Sequence, residues 1–302
     1  MITVLGATGN TGRRVARTLL DAGEAVRAVG RDAARLRTAV PGAEHVVADA
    51  TDAAALAAAF AGADAAYVLS PFEATAPGYL EQQRRLGEAV AAALRAARVP
   101  RVVALSSLGV DVEQDTGFLL SLRAQEQRLA ALDADVLLLR PGMFFEAFLP
   151  AVPAMRERGV HEDSIDPDVA LPMVATADVA DAAAAELLGP ARAGVREVLG
   201  PRDLTVAQAV AALGPALGVP GLRYVRLPQE QVRAGLTAAG LPADVVDLQL
   251  RMHAAFSAGT VRSRAGRGPA TSSPTTIEEW ARATFRPAPA SATAWGSRPQ
   301  VS

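Results

Sequence analysis

The amino-acid sequence predicts an α/β protein with a doubly wound parallel sheet and a smaller, mixed α/β C-terminal lobe. Short apolar runs alternate with segments whose apolar residues recur at helical spacing, which is the order expected of a parallel sheet covered by helices on both faces. The runs are almost continuously apolar, as burial on both faces requires. With 302 residues, 50% of them hydrophobic, the chain is long enough to bury such a core.

Six apolar runs before residue 150 are predicted as strands: ITVLG, AVRAVG, HVVAD, AAYVLS, RVVALSS and DVLLLRP. The segments between them, such as RRVARTLLDAG and YLEQQRRLGEAVAAALRAA, have apolar residues at helical spacing and are predicted as helices. Residues 1–150 therefore form the predicted main domain.

The alternation ends after Phe148, where several prolines interrupt it. Residues 151–285 are predicted as a smaller lobe that partly returns to the main sheet. Its predicted elements are a helix that begins near residues 176–178, the short strand REVLGP, and helices over 206–217 and 242–256. Residues 286–302, rich in Pro, Ala and Ser, are predicted as a mobile tail in which Trp295 is the one residue suited to docking.

The composition excludes several classes of function. The formal net charge is −2 and no basic run occurs, so we expect neither nucleic acid nor a membrane surface as a partner. No apolar stretch is long enough to span a bilayer, and the first predicted strand leaves no room for a signal peptide, so we expect a cytoplasmic location.

Cysteine and lysine are both absent, and all 30 basic residues are arginine. The missing residues exclude disulfides, thiolate nucleophiles, Schiff-base lysines and a P-loop lysine. We attribute the arginine bias to a GC-rich bacterial genome.

A glycine-rich loop, GATGNTGR, follows the first predicted strand and has its glycines at Gly6, Gly9 and Gly12. Glycines between a strand and a helix permit close approach of the backbone to a pyrophosphate, which the helix N-terminus also attracts. The loop carries three polar residues that favour this interpretation: Thr8, Asn10 and Thr11. We therefore predict a dinucleotide site, the alternative being a tight turn without a ligand.

The end of the second strand, VRAVGRD, distinguishes between two cofactors. An acidic residue at this place suits the ribose 2′-hydroxyl of NAD, whereas arginine suits the 2′-phosphate of NADP. Here Gly30 and Arg31 occupy it, and Asp32 is predicted to cap the following helix. NADP is therefore predicted in preference to NAD, the alternative being that Arg31 is an ordinary solvated arginine.

Ligands of such sheets lie beyond the carboxyl ends of the strands, so the residues there are further cofactor candidates. Asp49 and Ala50, which close the third strand, are predicted to meet the adenine ring. Leu69, Ser70 and Pro71, which close the fourth strand, are predicted to run beside the riboses and the pyrophosphate.

The combined pattern resembles the NmrA-like branch of the atypical short-chain dehydrogenase/reductase superfamily over roughly residues 1–285. The segments that carry the resemblance are, in order, GATGNTGR, VVADATD, VVALSSLG, RAQEQRL, LLLRPGMFFE and MVATADVADAAA. The resemblance implies a Rossmann fold that binds NADP or NAD, a small C-terminal lobe and, in some members, quinone reductase activity.

For typical short-chain dehydrogenases the superfamily implies a Tyr-x-x-x-Lys pair that transfers a proton. This chain has no lysine, and no tyrosine lies between Tyr79 and Tyr224, where the catalytic helix falls. The resemblance leaves Ser106 or Ser107, after the fifth strand, as an orienting group. Ser107 is the catalytic candidate, and Ser106 is predicted as a cofactor contact. The polar residues available in the next helix are Ser121, Arg123 and Glu126, of which Arg123 is the candidate to polarise a carbonyl or bind an anion.

Four residues at the end of the sixth strand are predicted to lie over the nicotinamide: Pro141, Gly142, Met143 and Phe144. Met143, Phe144 and Phe145 are predicted to form an apolar wall there, the alternative being that the aromatic rings pack in the core.

Other constellations carry weaker signals. His45, His161 and His253 are far apart in the sequence and follow no metal-binding spacing, so no metal site is predicted. The acidic segment HEDSIDPD, 161–168, is predicted as a solvated loop, or alternatively as a loop at the rim of a substrate site. No G-x-S-x-G motif occurs, so a serine hydrolase has no support.

Two functions are left open. The first is an NADP-dependent oxidoreductase that acts on a small hydrophobic carbonyl, enone or quinone, and the apolar wall favours it. The second is a dinucleotide-binding regulator or redox sensor whose cofactor alters contacts with a protein partner without turnover. The missing tyrosine and lysine favour this second function.

Overall fold

The computed structural model describes residues 1–286, so the predicted tail, including Trp295, lies outside the described residues apart from Arg286. The strands of the described part are β1 (Ile2–Leu5), β2 (Val26–Gly30), β3 (Glu44–Val47), β4 (Ala65–Val68), β5 (Arg101–Leu105), β6 (Asp135–Pro141), β7 (Met143–Phe144), β8 (Val160–Asp163), β9 (Ala170–Val174), β10 (Gly194–Val198), β11 (Asp203–Thr205) and β12 (Arg223–Arg226).

The helices are α1 (Asn10–Asp21), α2 (Ala33–Ala39), α3 (Ala53–Phe60), α4 (Tyr79–Ala97), α5 (Leu119–Ala130), α6 (Val152–Arg158), α7 (Thr176–Leu188), α8 (Val206–Leu217), α9 (Gln229–Ala238), α10 (Ala243–Ser257) and α11 (Ile277–Thr284). A 3₁₀ helix also covers Phe145–Ala151.

Seven strands form the central sheet in the order β10-β6-β5-β4-β1-β2-β3. All neighbouring pairs are parallel. The chain moves outward from β1 in one direction through β2 and β3, and in the other through β4, β5 and β6, so the order reverses beside β1. The six strands predicted from the sequence and the doubly wound Rossmann-like fold are confirmed.

Helices cover both faces of this sheet, which explains the continuous apolar strands. On one face, Val15 and Leu19 of α1 pack in one core with Val179 of α7. On the other face, Leu56 of α3 and Leu94 of α4 belong to a second core. The sheet therefore lies between two helical layers.

The chain beyond residue 150 contributes to two places. The helix α7 packs against α1, and β10 joins the edge of the main sheet beside β6. The remaining elements form a separate core around Met155 and Leu213, which also takes in Phe148 from before residue 150. They include a parallel pair of β12 and β8, and β9 and β11 form a three-stranded sheet of order β11-β9-β7 with the earlier strand β7.

The predicted solvated loop at HEDSIDPD is wrong for its first half. Val160–Asp163 forms β8, which pairs with β12 more than 60 residues later in the chain. Asp163 Oδ1 lies 2.7 Å from Nδ1 of the buried His253, and Ser164 and Ile165 are buried. The acidic residues Glu162 and Asp163 therefore belong to a packed strand.

No helix within residues 1–286 combines the length and the apolar character that crossing a membrane requires.

Candidate functional site

The glycine-rich loop joins β1 to α1 and depends on its glycines for two separate reasons. Gly6 has a φ of +74°, in the left-handed region that glycine adopts without strain. A Cβ on Gly12 would lie 2.4 Å from the carbonyl oxygen of Gly6, so only glycine lets the first turn of α1 approach the end of β1. The loop is thereby held tightly against the sheet.

The N-terminus of α1 differs from those of the next two helices. Its N-cap is Gly9, without a side-chain hydrogen bond, and its first turn holds no acidic residue. By contrast, Asp32 and Asp52 cap α2 and α3, each accepting from two backbone amides at 2.8–3.0 Å. The predicted cap at Asp32 is confirmed. Among these three helices, α1 is the one whose N-terminal amides have no side-chain cap, which fits an anionic pyrophosphate.

The polar residues of this loop differ in exposure. Asn10 is exposed, Thr8 is half-buried and Thr11 is buried. Leu69, at the end of the neighbouring strand β4, lies over the loop, because its side chain would be 3.2 Å from a Cβ on Gly6. The structure thus brings together the loop and the start of the Leu69–Pro71 segment, both predicted as cofactor contacts.

Arg31 directly follows β2, and its guanidinium pairs with the carboxylate of Glu73, which lies in the segment after β4. Asp49, at the end of β3, accepts hydrogen bonds from the backbone amide and hydroxyl of Thr51 at 2.8 and 2.7 Å. These hydrogen bonds lower the pKa of Asp49, and the positive charge of Arg31 adds to the effect. Ala50 beside it is half-buried. We call the edge of the sheet at the carboxyl ends of its strands the cleft. The loops after β1, β2, β3 and β4 form its glycine end.

The loops after β5 and β6, which we call the serine end, contain a buried polar network. Ser106 Oγ donates to Glu126 Oε1 of α5 at 2.5 Å. Arg140 of β6 binds the same carboxylate through two nitrogens, at 2.9 and 2.7 Å. Ser106 and Glu126 are both buried. Arg140 is 15% exposed and also pairs with Asp111 at 3.2 Å. The network is closed in the sense that each of its three polar side chains already has a partner within the protein. Ser107, the next residue, is half-buried and its hydroxyl has no hydrogen-bond partner within residues 1–286.

Arg123 does not agree with its predicted catalytic role. Its Nε donates to the carbonyl oxygen of Val110 at 2.7 Å, and a terminal nitrogen donates to that of Val112. Because these contacts direct the guanidinium to the backbone between β5 and α5, Arg123 is a residue that holds this loop rather than one that polarises a substrate.

The end of β6 connects the sheet with the smaller lobe. Pro141 ends β6, and the amide of Gly142 donates to Val198 of β10 at 3.1 Å. Met143 and Phe144 then pair with β9 and are half-buried, Met143 against the core of the lobe and Phe144 against that of the sheet.

Phe145 is not part of the predicted apolar wall. Its side chain is 1% exposed and its ring lies 5.7 Å from that of Trp280, centroid to centroid, so it packs in the core. The adjacent Glu146 accepts from Trp280 Nε1 at 3.0 Å and from the hydroxyl of Thr176 at 2.7 Å. This carboxylate holds α7 and α11 together.

Sequence reasoning missed that Tyr79 lies beside the start of α5. Its ring is 4.8 Å from that of Phe118, the residue before α5, and Phe72 packs against both rings. Burial raises the pKa of Tyr79 to about 12, and a hydrogen bond with Ser121 offsets part of that effect. No local pattern signals this contact, because Tyr79 and Phe118 are 39 residues apart, at the starts of two different helices.

Comparison with known proteins agrees with this geometry. Residues 6–190 match a family model described as NAD(P)H-binding. A (4-alkanoyl-5-oxo-2,5-dihydrofuran-3-yl)methyl phosphate reductase of Streptomyces griseus is 34% identical over 241 residues, which cover 79% of this chain and 81% of the relative. An NAD(P)H azoreductase of Xenophilus azovorans is 27% identical over 256 residues, covering 84% of this chain and 86% of the relative.

Solved structures show the same fold over nearly the whole chain. An NADPH-dependent quinone oxidoreductase of Escherichia coli, in complex with NADPH, is 27% identical with a TM-score of 0.80, covering 94% of this chain and 100% of that one. A triphenylmethane reductase of Citrobacter sp. is 20% identical with a TM-score of 0.79, covering 94% and 99%. The chain belongs to the NAD(P)H-binding family, within the NmrA-like branch of the atypical short-chain dehydrogenase/reductase superfamily.

Proposed function

We propose that the protein is an NAD(P)H-dependent oxidoreductase that prefers NADPH and reduces a small hydrophobic conjugated acceptor, a quinone or an enone. The observation that carries this proposal is the closed network at the serine end. The hydroxyl of Ser106 is committed to Glu126, and Glu126 is committed to Arg140, so neither side chain is available to deliver a proton.

The cofactor fits the glycine end. The uncovered amides of α1 suit the pyrophosphate, and Arg31 suits a 2′-phosphate. When bound, the reduced nicotinamide supplies a hydride. Met143 and Phe144 contribute half-buried apolar surface at the end of β6, which excludes water from one side of the site and favours an apolar acceptor.

The closed network also favours one class of acceptor over another. A simple ketone that receives hydride becomes a strongly basic alkoxide and needs a positioned acid. A quinone or an enone becomes a delocalised anion, which water can protonate. A site whose polar groups are already paired therefore suits conjugated acceptors better than simple carbonyls, and positioning carries most of the catalysis.

The names of the relatives support this class. They include an NAD(P)H azoreductase and an NADPH-dependent quinone oxidoreductase, each of which reduces a conjugated group. We further propose that residues 151–285 form the lobe that covers the acceptor, because Gly142 and Met143 lead directly from β6 into it.

Oxidation of NADPH, followed by absorbance, tests the proposal with quinones, enones and matched simple ketones. We expect conjugated acceptors to exceed the ketones in kcat/KM by about 100-fold or more, the usual contribution of a positioned acid. Ser107→Ala should lower kcat less than about tenfold, because no proton need pass through its hydroxyl. Equal rates with ketones, or a Ser107→Ala loss in the range of an acid catalyst, would contradict it.

The same closed network also favours a second candidate, a regulator that binds NADP(H) without turnover. Tight NADPH binding, measured by fluorescence titration, combined with no oxidation by any acceptor of the panel would select this function. Turnover with a quinone would exclude it.

A further inference from the structure

The ion pair between Arg31 and Glu73 spans the mouth of the glycine-rich loop. In the sheet, β1 lies between β4 and β2. Arg31 follows β2, whereas Glu73 lies in the segment after β4, residues 70–78, which we call the strap. Their contact therefore crosses the end of β1, from which the loop of Gly6 leaves.

Both ends of the strap are anchored to the side of the cleft away from β2. The carbonyl of Pro71 accepts from Gln83 Nε2 at 2.8 Å. At the other end, Asp244 of α10 accepts from the amides of Gly78 and Tyr79, at 2.9 and 3.1 Å. Glu73 lies between these anchors and reaches across the cleft to Arg31.

The pair is exposed, so it can exchange partners. The side chains of Arg31 and Glu73 are 65% and 48% exposed, and exposed ion pairs contribute little to stability. Arg31 is also close enough to Asp49 to help lower the pKa of that carboxyl, after the hydrogen bonds from Thr51. The arginine that suits a 2′-phosphate therefore already interacts with two carboxylates, Glu73 as an ion pair and Asp49 through its charge.

We propose that Glu73 is a specificity-determining residue for the cofactor, because it competes with the 2′-phosphate of NADP(H) for the guanidinium of Arg31. The inference rests on the proposed function, since it presumes that a dinucleotide binds at the glycine end. NADH carries a 2′-hydroxyl, which leaves the ion pair in place. Glu73 thus weakens the binding of NADPH and leaves that of NADH unchanged. It therefore reduces the preference of the protein for NADPH over NADH.

Fluorescence titrations of NADPH and NADH with four proteins test this: the wild type, Glu73→Gln, Arg31→Ala and the double variant. We expect Glu73→Gln to tighten NADPH about two- to fivefold, the worth of an exposed pair, and to leave NADH unchanged. Arg31→Ala should weaken NADPH about tenfold, the worth of a charge-assisted contact. Once Arg31 is gone, Glu73→Gln should have no further effect.

The matched control is Glu278→Gln, which removes the carboxylate paired with Arg202 at similar exposures of 43% and 48%. It should leave both affinities unchanged. Calorimetry with 2′,5′-ADP and 5′-AMP, which differ only in the 2′-phosphate, repeats the comparison without a nicotinamide and without turnover, and Glu73→Gln should tighten 2′,5′-ADP alone.

If Glu73→Gln changes neither affinity, or tightens NADPH and NADH equally, the inference is wrong while cofactor binding stands. If the wild type binds neither dinucleotide, the proposed function fails and this inference fails with it.

Discussion

The two ends of the cleft solve the same problem, a polar site at the edge of a sheet, in opposite ways. At the glycine end, the amides of α1 have no side-chain cap, and the charged pair of Arg31 and Glu73 is exposed. At the serine end, Ser106 and Glu126 are buried and are paired with each other and with Arg140, which is only 15% exposed. The charges of the glycine end are exposed and can exchange their partner for a charged ligand, whereas those of the serine end are paired within the protein.

This difference explains how a chain can keep a cofactor site without the acid and base of its superfamily. Backbone amides and an arginine bind phosphates without any proton transfer. The serine end keeps a serine after β5 but uses its hydroxyl to hold a buried ion pair. Binding and chemistry are thus separable in this fold, and variants at each end should have different consequences.

The largest expected effect is the loss of stability in Glu126→Ala. The substitution removes the bidentate partner of Arg140, which is 15% exposed, and leaves it only the longer contact to Asp111 at 3.2 Å. Breaking a buried pair costs about 3–5 kcal/mol, and we take this range as the upper bound because Asp111 remains. Urea unfolding measures the free energy of unfolding directly. NADPH affinity, measured where the variant is folded, should stay within about twofold, because the carboxylate binds no phosphate and separate sites without shared partners act independently.

Two further variants make this prediction sharper. Glu278→Ala removes an exposed carboxylate and should cost less than about 1 kcal/mol. Combining Glu126→Leu with Arg140→Met removes both charges and should recover part of the lost stability. A Glu126→Ala variant as stable as the Glu278→Ala control would contradict the contrast between the two ends.

A smaller effect, and one on binding, is expected for Gly12→Ala at the glycine end. The new Cβ would lie 2.4 Å from the oxygen of Gly6, so the first turn of α1 must shift at a cost of about 1–3 kcal/mol. Because the amides of that turn hold the phosphates, NADPH affinity should fall on the order of 10- to 100-fold. Fluorescence titration measures it.

Gly142→Ala is the matched variant at the serine end. Its Cβ would lie 2.4 Å from the oxygen of Pro172 in the smaller lobe, so it should lower the unfolding midpoint. Because Gly142 is predicted to lie over the nicotinamide and not at the phosphates, the variant should lower NADPH affinity less than Gly12→Ala does. Gly235→Ala in α9, where the Cβ meets no atom within 4 Å, should change neither quantity for the worse. Equal losses of NADPH affinity in Gly12→Ala and Gly142→Ala would show that the two ends are not independent.

The strands and helices of the sheet were predictable because they depend on local patterns. The run DVLLLRP has four consecutive apolar residues at its centre, and the predicted cap at Asp32 needs only the residues that follow it. The strand β8 was missed because acidic residues such as Glu162 and Asp163 are typical of a solvated loop. Its pairing with β12 is a contact between distant segments, which periodicity does not encode.

The site was predictable only where function depends on the backbone. Glycine spacing identified the loop of Gly6, but Arg31 gave no sign that Glu73, 42 residues later, would face it. The same applies to Glu126 and Arg140, which lie on a helix and a strand whose relative register decides their contact. The partners of charged side chains can be identified only in the packed structure, because the order of charges along the chain does not show which way each side chain points.

The smallest expected effect concerns Tyr79, the tyrosine that packs beside the residue preceding α5. Burial raises its pKa to about 12, so its phenol stays protonated from about pH 6 to about pH 10. Since the folded-state pKa lies above the ordinary value near 10, the phenol favours the folded state below about pH 10 and loses that contribution above it. If conjugated acceptors take their protons from water, Tyr79→Phe should change kcat less than about twofold at any pH in this range.

Measuring kcat with a quinone across this range, for the wild type and Tyr79→Phe, decides whether Tyr79 replaces the missing acid. Tyr224→Phe is the control, because its hydroxyl donates to the carbonyl of Ile165 in the lobe and its loss affects stability alone. A loss of about 100-fold or more in Tyr79→Phe, without one in Tyr224→Phe, would make Tyr79 the proton donor. The serine end would then react through a residue of α4, and its closed network would no longer explain the choice of acceptor.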